Sequence, residues 1–167
     1  MKTLQKHPFV ILAVGVMLGT SFMVLKPQQP VKASAANGND KFSMATCRVA
    51  LGESDAVFVL DHLTGVLRGG FLNAQTGSFS HQYIRTVALD FQINPATPEP
   101  KYSMVAGDAQ LRTSGGVQPA NGLIYVAELT SGAVIAYGFA APRGRGAAAP
   151  LEIYRIDGFQ FREASGG

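Results

Sequence analysis

One stretch of this chain returns some sixty residues later, and that repeat limits what the chain can fold into more than any other feature. Lys41-Phe42-Ser43-Met44-Ala45 recurs as Lys101-Tyr102-Ser103-Met104-Val105-Ala106. Val57-Phe58-Val59-Leu60-Asp61-His62-Leu63-Thr64-Gly65 recurs without a gap as Ile124-Tyr125-Val126-Ala127-Glu128-Leu129-Thr130-Ser131-Gly132. The first pair is offset by 60 positions and the second by 67, so the second copy carries seven more residues between its halves. Repetition of this kind means a domain assembled from two similar supersecondary units. It describes architecture and names no activity.

The runs inside each copy are short, β-branched and aromatic, and are bounded by Gly, Ser, Asp or Asn. Phe42 to Leu51, Ala56 to His62 and Val66 to Leu72 read as a three-stranded meander, and Tyr102 to Leu111, Leu123 to Leu129 and Ala133 to Phe139 read as a second. Leu151 to Ile156 alternates apolar and polar residues, which predicts a terminal strand with one wet face. Between the copies, Phe79, Tyr83, Ile84, Val87 and Phe91 fall at helical spacing, with Ser78 or Ser80 as cap and Asn94-Pro95 as stop, so the spacing predicts an amphipathic helix over Ser80 to Phe91. His81 then falls in its first turn as a solvated residue, and Pro95, Pro98 and Pro100 stiffen the link to the second unit. The expected fold is α+β: an antiparallel sheet of two duplicated meanders, 41–72 and 101–139, plus a terminal strand, with one packed helix.

The repeated acid-x-x-hydroxyl-Gly has a physical role in a hairpin. Gly65 and Gly132 supply the positive φ that a tight turn needs, while Asp61 and Glu128, with Thr64 and Ser131, accept or share the turn's backbone N–H groups. These six residues are read as structural turn positions. A catalytic or metal-binding pair would need Asp61 and Glu128 to converge from separate hairpins, which the spacing does not impose.

The N-terminus carries an address. Lys2 and Lys6 precede an uncharged run from Phe9 to Leu25, followed by Lys26-Pro27-Gln28-Gln29-Pro30. Seventeen helical residues span roughly 25 Å, within the usual range for a membrane-crossing helix. Residues 1–25 are therefore expected to form a hydrophobic helix acting as a signal-anchor, or as a signal peptide cleaved at Ala33-Ser34-Ala35 before Ala36. Residues 26–40 read as a flexible tether, and 41–167 as one extracytoplasmic domain. With the lysines held inside, this domain lies outside the cytoplasm in either case.

The formal net charge of +3 belongs to that address. Of fourteen Lys and Arg, four precede residue 37, leaving ten against eleven Asp and Glu in residues 37–167. A segment at −1 lacks the electrostatic footprint of phosphate binding, so no nucleic-acid partner is expected. Cys47 is the single cysteine and forms no internal disulfide; it reads as a small buried strand residue. Asp61 and His62 are neighbours, which in a strand point to opposite faces, so they form no dyad. The chain has no nucleophile elbow, phosphate loop, dinucleotide fingerprint or paired zinc ligands. No catalytic, cofactor-binding or metal-binding residue is assigned and no cofactor is expected. The basic stretch Arg143 to Pro150 reads as a solvated loop.

Ile124 to Val134 resembles a strand–turn–strand piece of a β-propeller blade of the YVTN or quinoprotein kind, with Val57 to Leu67 as a weaker copy. The resemblance covers about 30 residues, and the domain holds at most three blades where propellers close with four to eight. The whole chain is also similar to short exported or membrane-anchored bacterial proteins of uncharacterised function, which implies no activity. The expected function is a membrane-tethered extracytoplasmic interaction or scaffold module of the cell envelope, held to the membrane by its N-terminal helix and binding a protein partner. A self-associating structural subunit pairing through sheet edges is the alternative, and a small envelope enzyme the third reading.

Overall fold

A computed structural model describes residues 36–50, 54–93, 100–113, 116–144, 146 and 149–162. The hydrophobic segment, most of the tether, and the Asn94-Pro95 stop with Pro98 of the proline link lie outside them. Among the described residues nine strands and one short helix follow in order: β1 (Ala36–Gly38), β2 (Phe42–Cys47), β3 (Ala56–Asp61), β4 (Val66–Asn73), β5 (Ser78–Thr86), α1 (Val87–Asp90), β6 (Tyr102–Asp108), β7 (Gly122–Glu128), β8 (Ala133–Phe139) and β9 (Leu151–Gln160). Among the described residues no helix is long and apolar enough to cross a membrane.

The sheet order is β1-β2-β3-β4-β5-β9-β8-β7-β6. Strands β1 to β5 form one antiparallel meander and β6 to β9 another. They are joined where β5 and β9 run parallel at only two pairs, Tyr83↔Leu151 and Ile84↔Glu152. The far ends meet as well: β2 packs against β6, the Cys47 thiol donates to the Leu123 carbonyl (3.0 Å), and Asn121 N–H donates to the Val49 carbonyl (2.9 Å). The sheet thus curls round a single core. Phe58 of β3, Tyr83 of β5 and Phe139 of β8 fill its centre, with ring centroids 4.8 to 5.7 Å apart. Cys47 sits in this core as a small buried side chain, and burial, followed by the charges of Asp108 and Asp55, pushes its thiol up to about 12.

The sheet-rich fold follows the predicted strands closely, with two corrections. Ser78 to Thr86 is a strand, not the first part of a helix, and only Val87–Asp90 coils. The segment carries two periods at once, because Phe79, Tyr83 and Phe91 keep helical spacing while His81 and Tyr83 are the buried positions of an alternating strand. Pairing with β4 from Val66↔Thr86 to Asn73↔Ser78 decides in favour of the strand, as sheet contacts commonly override local pattern. His81 is consequently buried, not solvated. The second correction is that Ala36–Gly38, inside the predicted tether, adds an edge strand to β2.

The two copies share a backbone plan but turn opposite faces inward. Their registers match, with Phe42 opposite Asp61 and Tyr102 opposite Glu128. Yet Phe42 is 43% exposed and Tyr102 5%, and Met44 is 41% exposed and Met104 4%. In the first copy Phe58 and Leu60 face the core; in the second, Ile124, Val126 and Glu128 do. The repeat therefore encodes strand length and turn, whereas the choice of inner face depends on what each hairpin packs against.

Candidate functional site

Each predicted turn residue has a local partner. At Asp61, Oδ1 accepts from the Leu63 N–H (2.9 Å) and the Thr64 N–H (3.4 Å), Gly65 N–H closes the turn on the Asp61 carbonyl (2.9 Å), and Gly65 has φ +63°. The Thr64 hydroxyl and the Leu63 N–H hold this carboxyl below its usual range. At Glu128 the carboxylate accepts from Lys101 N–H (3.3 Å), Thr130 N–H (3.0 Å) and Ser131 N–H, and Gly132, at φ +75°, donates to the Glu128 carbonyl (3.0 Å). A third copy of the turn escaped the sequence reading. Asn73 Oδ1 accepts from Gln75 and Thr76 N–H, and Gly77 N–H donates to the Asn73 carbonyl at φ +66°. The signal was present in Asn73-Ala74-Gln75-Thr76-Gly77, with an amide where the others have an acid.

Asp61 is solvated and Glu128 fully buried, so the structure does not present the two as one acid–base pair. Burial alone raises the Glu128 pKa, but the donors of Ser131 and Thr130 outweigh it and hold the group below the ordinary 4.5. A depressed folded pKa contributes stability that is present above the unfolded value and lost as pH falls through the folded one. Urea midpoints of wild type should therefore drop on acidification below about pH 4.5, and the drop should be shallower in Glu128→Gln. Parallel curves would show that the buried carboxylate is not responsible.

Beside Glu128 lies a small polar cluster. Ser43 Oγ and His62 Nε2 are 2.9 Å apart, the His62 ring stands edge-on to Tyr102 at 5.8 Å, and the buried Tyr102 hydroxyl has no hydrogen-bond partner among the described residues. Burial and the Glu128 charge push this phenol up to about 12. A serine hydrogen-bonded to a histidine suggests a nucleophile and its base, which would also need an orienting group and oxyanion donors. The cleft of about 530 Å³ that reaches His62 is lined by Asp40, Lys41, Asp61, Leu63 and Pro100, and Ser43 is not on its wall. The pair acts as a satisfied buried contact. Because an unmet hydroxyl in the core is costly, Tyr102→Phe should raise stability by about 1 kcal/mol, read as a higher denaturation midpoint; a lower midpoint would show that the hydroxyl has a partner.

His81 bonds Ser80 Oγ (3.0 Å) and the Arg143 carbonyl (3.1 Å), and Tyr83 donates to the Ala140 carbonyl (3.0 Å). The basic loop is thus pinned to β5 at its start, with the Arg143 guanidinium donating to Gln118. Among the described residues no group of three His, Cys, Asp or Glu could hold a metal ion.

The remaining feature is the edge of β9. This strand runs four residues past the predicted end at Ile156. A bulge falls at Ile156, between the pairs Tyr137↔Arg155 and Ala136↔Asp157, and bulges bend a strand away from its neighbour. Beyond Glu152, β9 has β8 on one side and, among the described residues, no paired strand on the other. Phe159, 64% exposed, and Phe161, 46% exposed, flank this open edge. The apolar–polar alternation stops at Ile156, before Asp157-Gly158, which hid the extension. The chain matches no protein-family model, no curated protein and no solved structure.

Proposed function

We propose that this chain is a membrane-tethered extracytoplasmic interaction module of the cell envelope, single-pass, with its domain outside the cytoplasm and a protein partner engaged at β9. The observation that carries the reading is the unpaired length of β9 flanked by two exposed phenylalanines. An open strand edge is a template for pairing with another chain, and proteins that leave one commonly use it or guard it. The uncharged run from Phe9 to Leu25 supports the tether. Cleavage near Ala35 is the alternative, and it would leave β1 whole, because that strand begins at Ala36.

The competing function is a self-associating subunit joined through the same edge. A photo-crosslinker at Phe159 in cells separates the two: a heterologous adduct in the membrane fraction supports the module, and a dimer of the chain supports self-association. Equal yields from a crosslinker at Arg68, exposed on β4, would remove the assignment to β9. Mass spectrometry of the mature N-terminus decides between anchor and cleavage.

A further inference from the structure

Phe161 N–H donates to the Gly132 carbonyl across the β8 side of β9 (2.8 Å). Peptide groups alternate sides along a strand, so Asp157, Phe159 and Phe161 address β8 while Gly158 and Gln160 address the open edge. Gly158 N–H is taken by the carboxylate of its own neighbour, Asp157 (2.8 Å). That is a local cap, and an incoming carbonyl can replace it.

The open edge borders a cleft of about 390 Å³, within the range of ligand pockets. Its far wall is Asp90, Phe91 and Gln92 at the end of α1. Among the described lining residues only Asp90 and Arg155 are charged. Asp90 is already neutralised, because Arg85 reaches it with two nitrogens (2.9 and 2.6 Å) and the Tyr137 hydroxyl adds a third bond (3.0 Å). Arg155 has no acidic partner among the described residues. Its terminal nitrogen lies 3.4 Å from where a Gly158 Cβ would stand, on the inner face beside the exposed peptide group.

Resting on the interaction-module reading, we infer that this cleft receives an extended protein segment that adds to β9 and places one carboxylate on Arg155. Side chains of an added strand alternate between faces, so the acid falls on the inner face, with apolar neighbours toward Phe91. Outer-face residues meet Asp157 and are therefore not acidic. A second copy of β9 fits poorly, since it brings a second Asp157 carboxylate to the same stretch of edge.

The test uses the full chain, isotope-labelled in detergent micelles, and two probes: acetyl-Thr-Val-Thr-Glu-Thr-Val-Thr-amide and its Gln counterpart. Saturable amide shifts at Gly158 and Gln160 are expected with the Glu probe, and about fivefold weaker binding with the Gln probe, as a guanidinium–carboxylate fork is stronger than a neutral bond. Arg155→Gln should bring the Glu probe down to the level of the Gln probe, Arg155→Lys should fall between, and Asp157→Asn should tighten both probes. Absence of shifts at about 1 mM probe, far above micromolar affinity, would overturn the proposal. So would equal binding of the two probes, or shifts at Gly158 that follow protein concentration without probe, which would make a second copy the occupant. A heterologous adduct at Phe159 alongside any of these failures would leave the module reading standing with a different partner chemistry.

Discussion

Asp90→Ala is expected to destabilise the domain by about 3 kcal/mol, the low end of what stripping one partner from a buried ion pair costs, because this pair is part-buried. The Asp90 side chain is 10% exposed and Arg85 24%, and Asp90 also faces the cleft beside β9, so water replaces only part of the lost contact. Three donors converge on the Asp90 carboxylate: Arg85 Nε and Nη2, and the hydroxyl of Tyr137, which is itself fully buried. Removing the acceptor leaves all three unmet. Arg85 also holds β9 through Glu152 Oε1 (2.8 Å) and the Ile153 carbonyl (3.4 Å), so it braces the place where β5 and β9 part. The contrast is Glu152→Ala. Glu152 is 75% exposed, and an exposed pair contributes about 0 to 1 kcal/mol. Denaturant midpoints of the two variants should differ severalfold in their shifts. Equal small losses would mean that Arg85 relaxes to solvent when Asp90 is gone. A compensating pair, Arg85→Met with Asp90→Ala, should recover much of the loss, because no buried charge then remains.

That brace lies beyond the reach of the sequence. Ile84 and Glu152 are neighbours across a two-pair parallel contact, and nothing local to either marks the other. The antiparallel strands were legible because they are short, β-branched and bounded by turns; Ala133 to Phe139 was located to the residue. Ser80 to Phe91 was not, because its apolar residues satisfy two periods and the neighbouring strand decides between them. Strand β1 was missed for the opposite reason: Ala36, Asn37 and Gly38 have no strand preference of their own and pair because β2 offers an edge. The inversion of the second copy was hidden by Val57-Phe58-Val59-Leu60, where both faces are apolar and alternation cannot say which is inside. The turns were visible because positive φ selects glycine at a fixed offset from a capping side chain. The open edge of β9 was not, since an unpaired edge is defined by where the other strands go.

Three turns of one backbone conformation should respond to one substitution in three ways. Gly65, Gly77 and Gly132 have φ of +63°, +66° and +75°, so alanine at each pays the left-handed penalty of about 1 to 2 kcal/mol. At Gly77 nothing lies within 4 Å of a new Cβ, and the penalty stands alone. At Gly132 the new carbon meets Arg162 Cβ at 2.5 Å, and because a Cβ moves only with its backbone, the exposed segment at Arg162 must shift and adds to the penalty. At Gly65 it meets Ala88 Cβ at 2.5 Å, the Ala88 Cα at 3.3 Å and the buried Tyr102 hydroxyl at 3.1 Å. Helix α1 must shift away from the hairpin, and overpacking adds about 1 to 3 kcal/mol. Gly65→Ala should therefore cost about 3 kcal/mol or more, and Gly77→Ala about 1. In thermal unfolding the gap should reach roughly 8 °C for a domain of this size. Equal losses at all three would mean that α1 yields freely and that the hairpin carries no packing load. A larger loss at Gly77 than at Gly65 would overturn the turn assignment itself, because only conformational strain acts there.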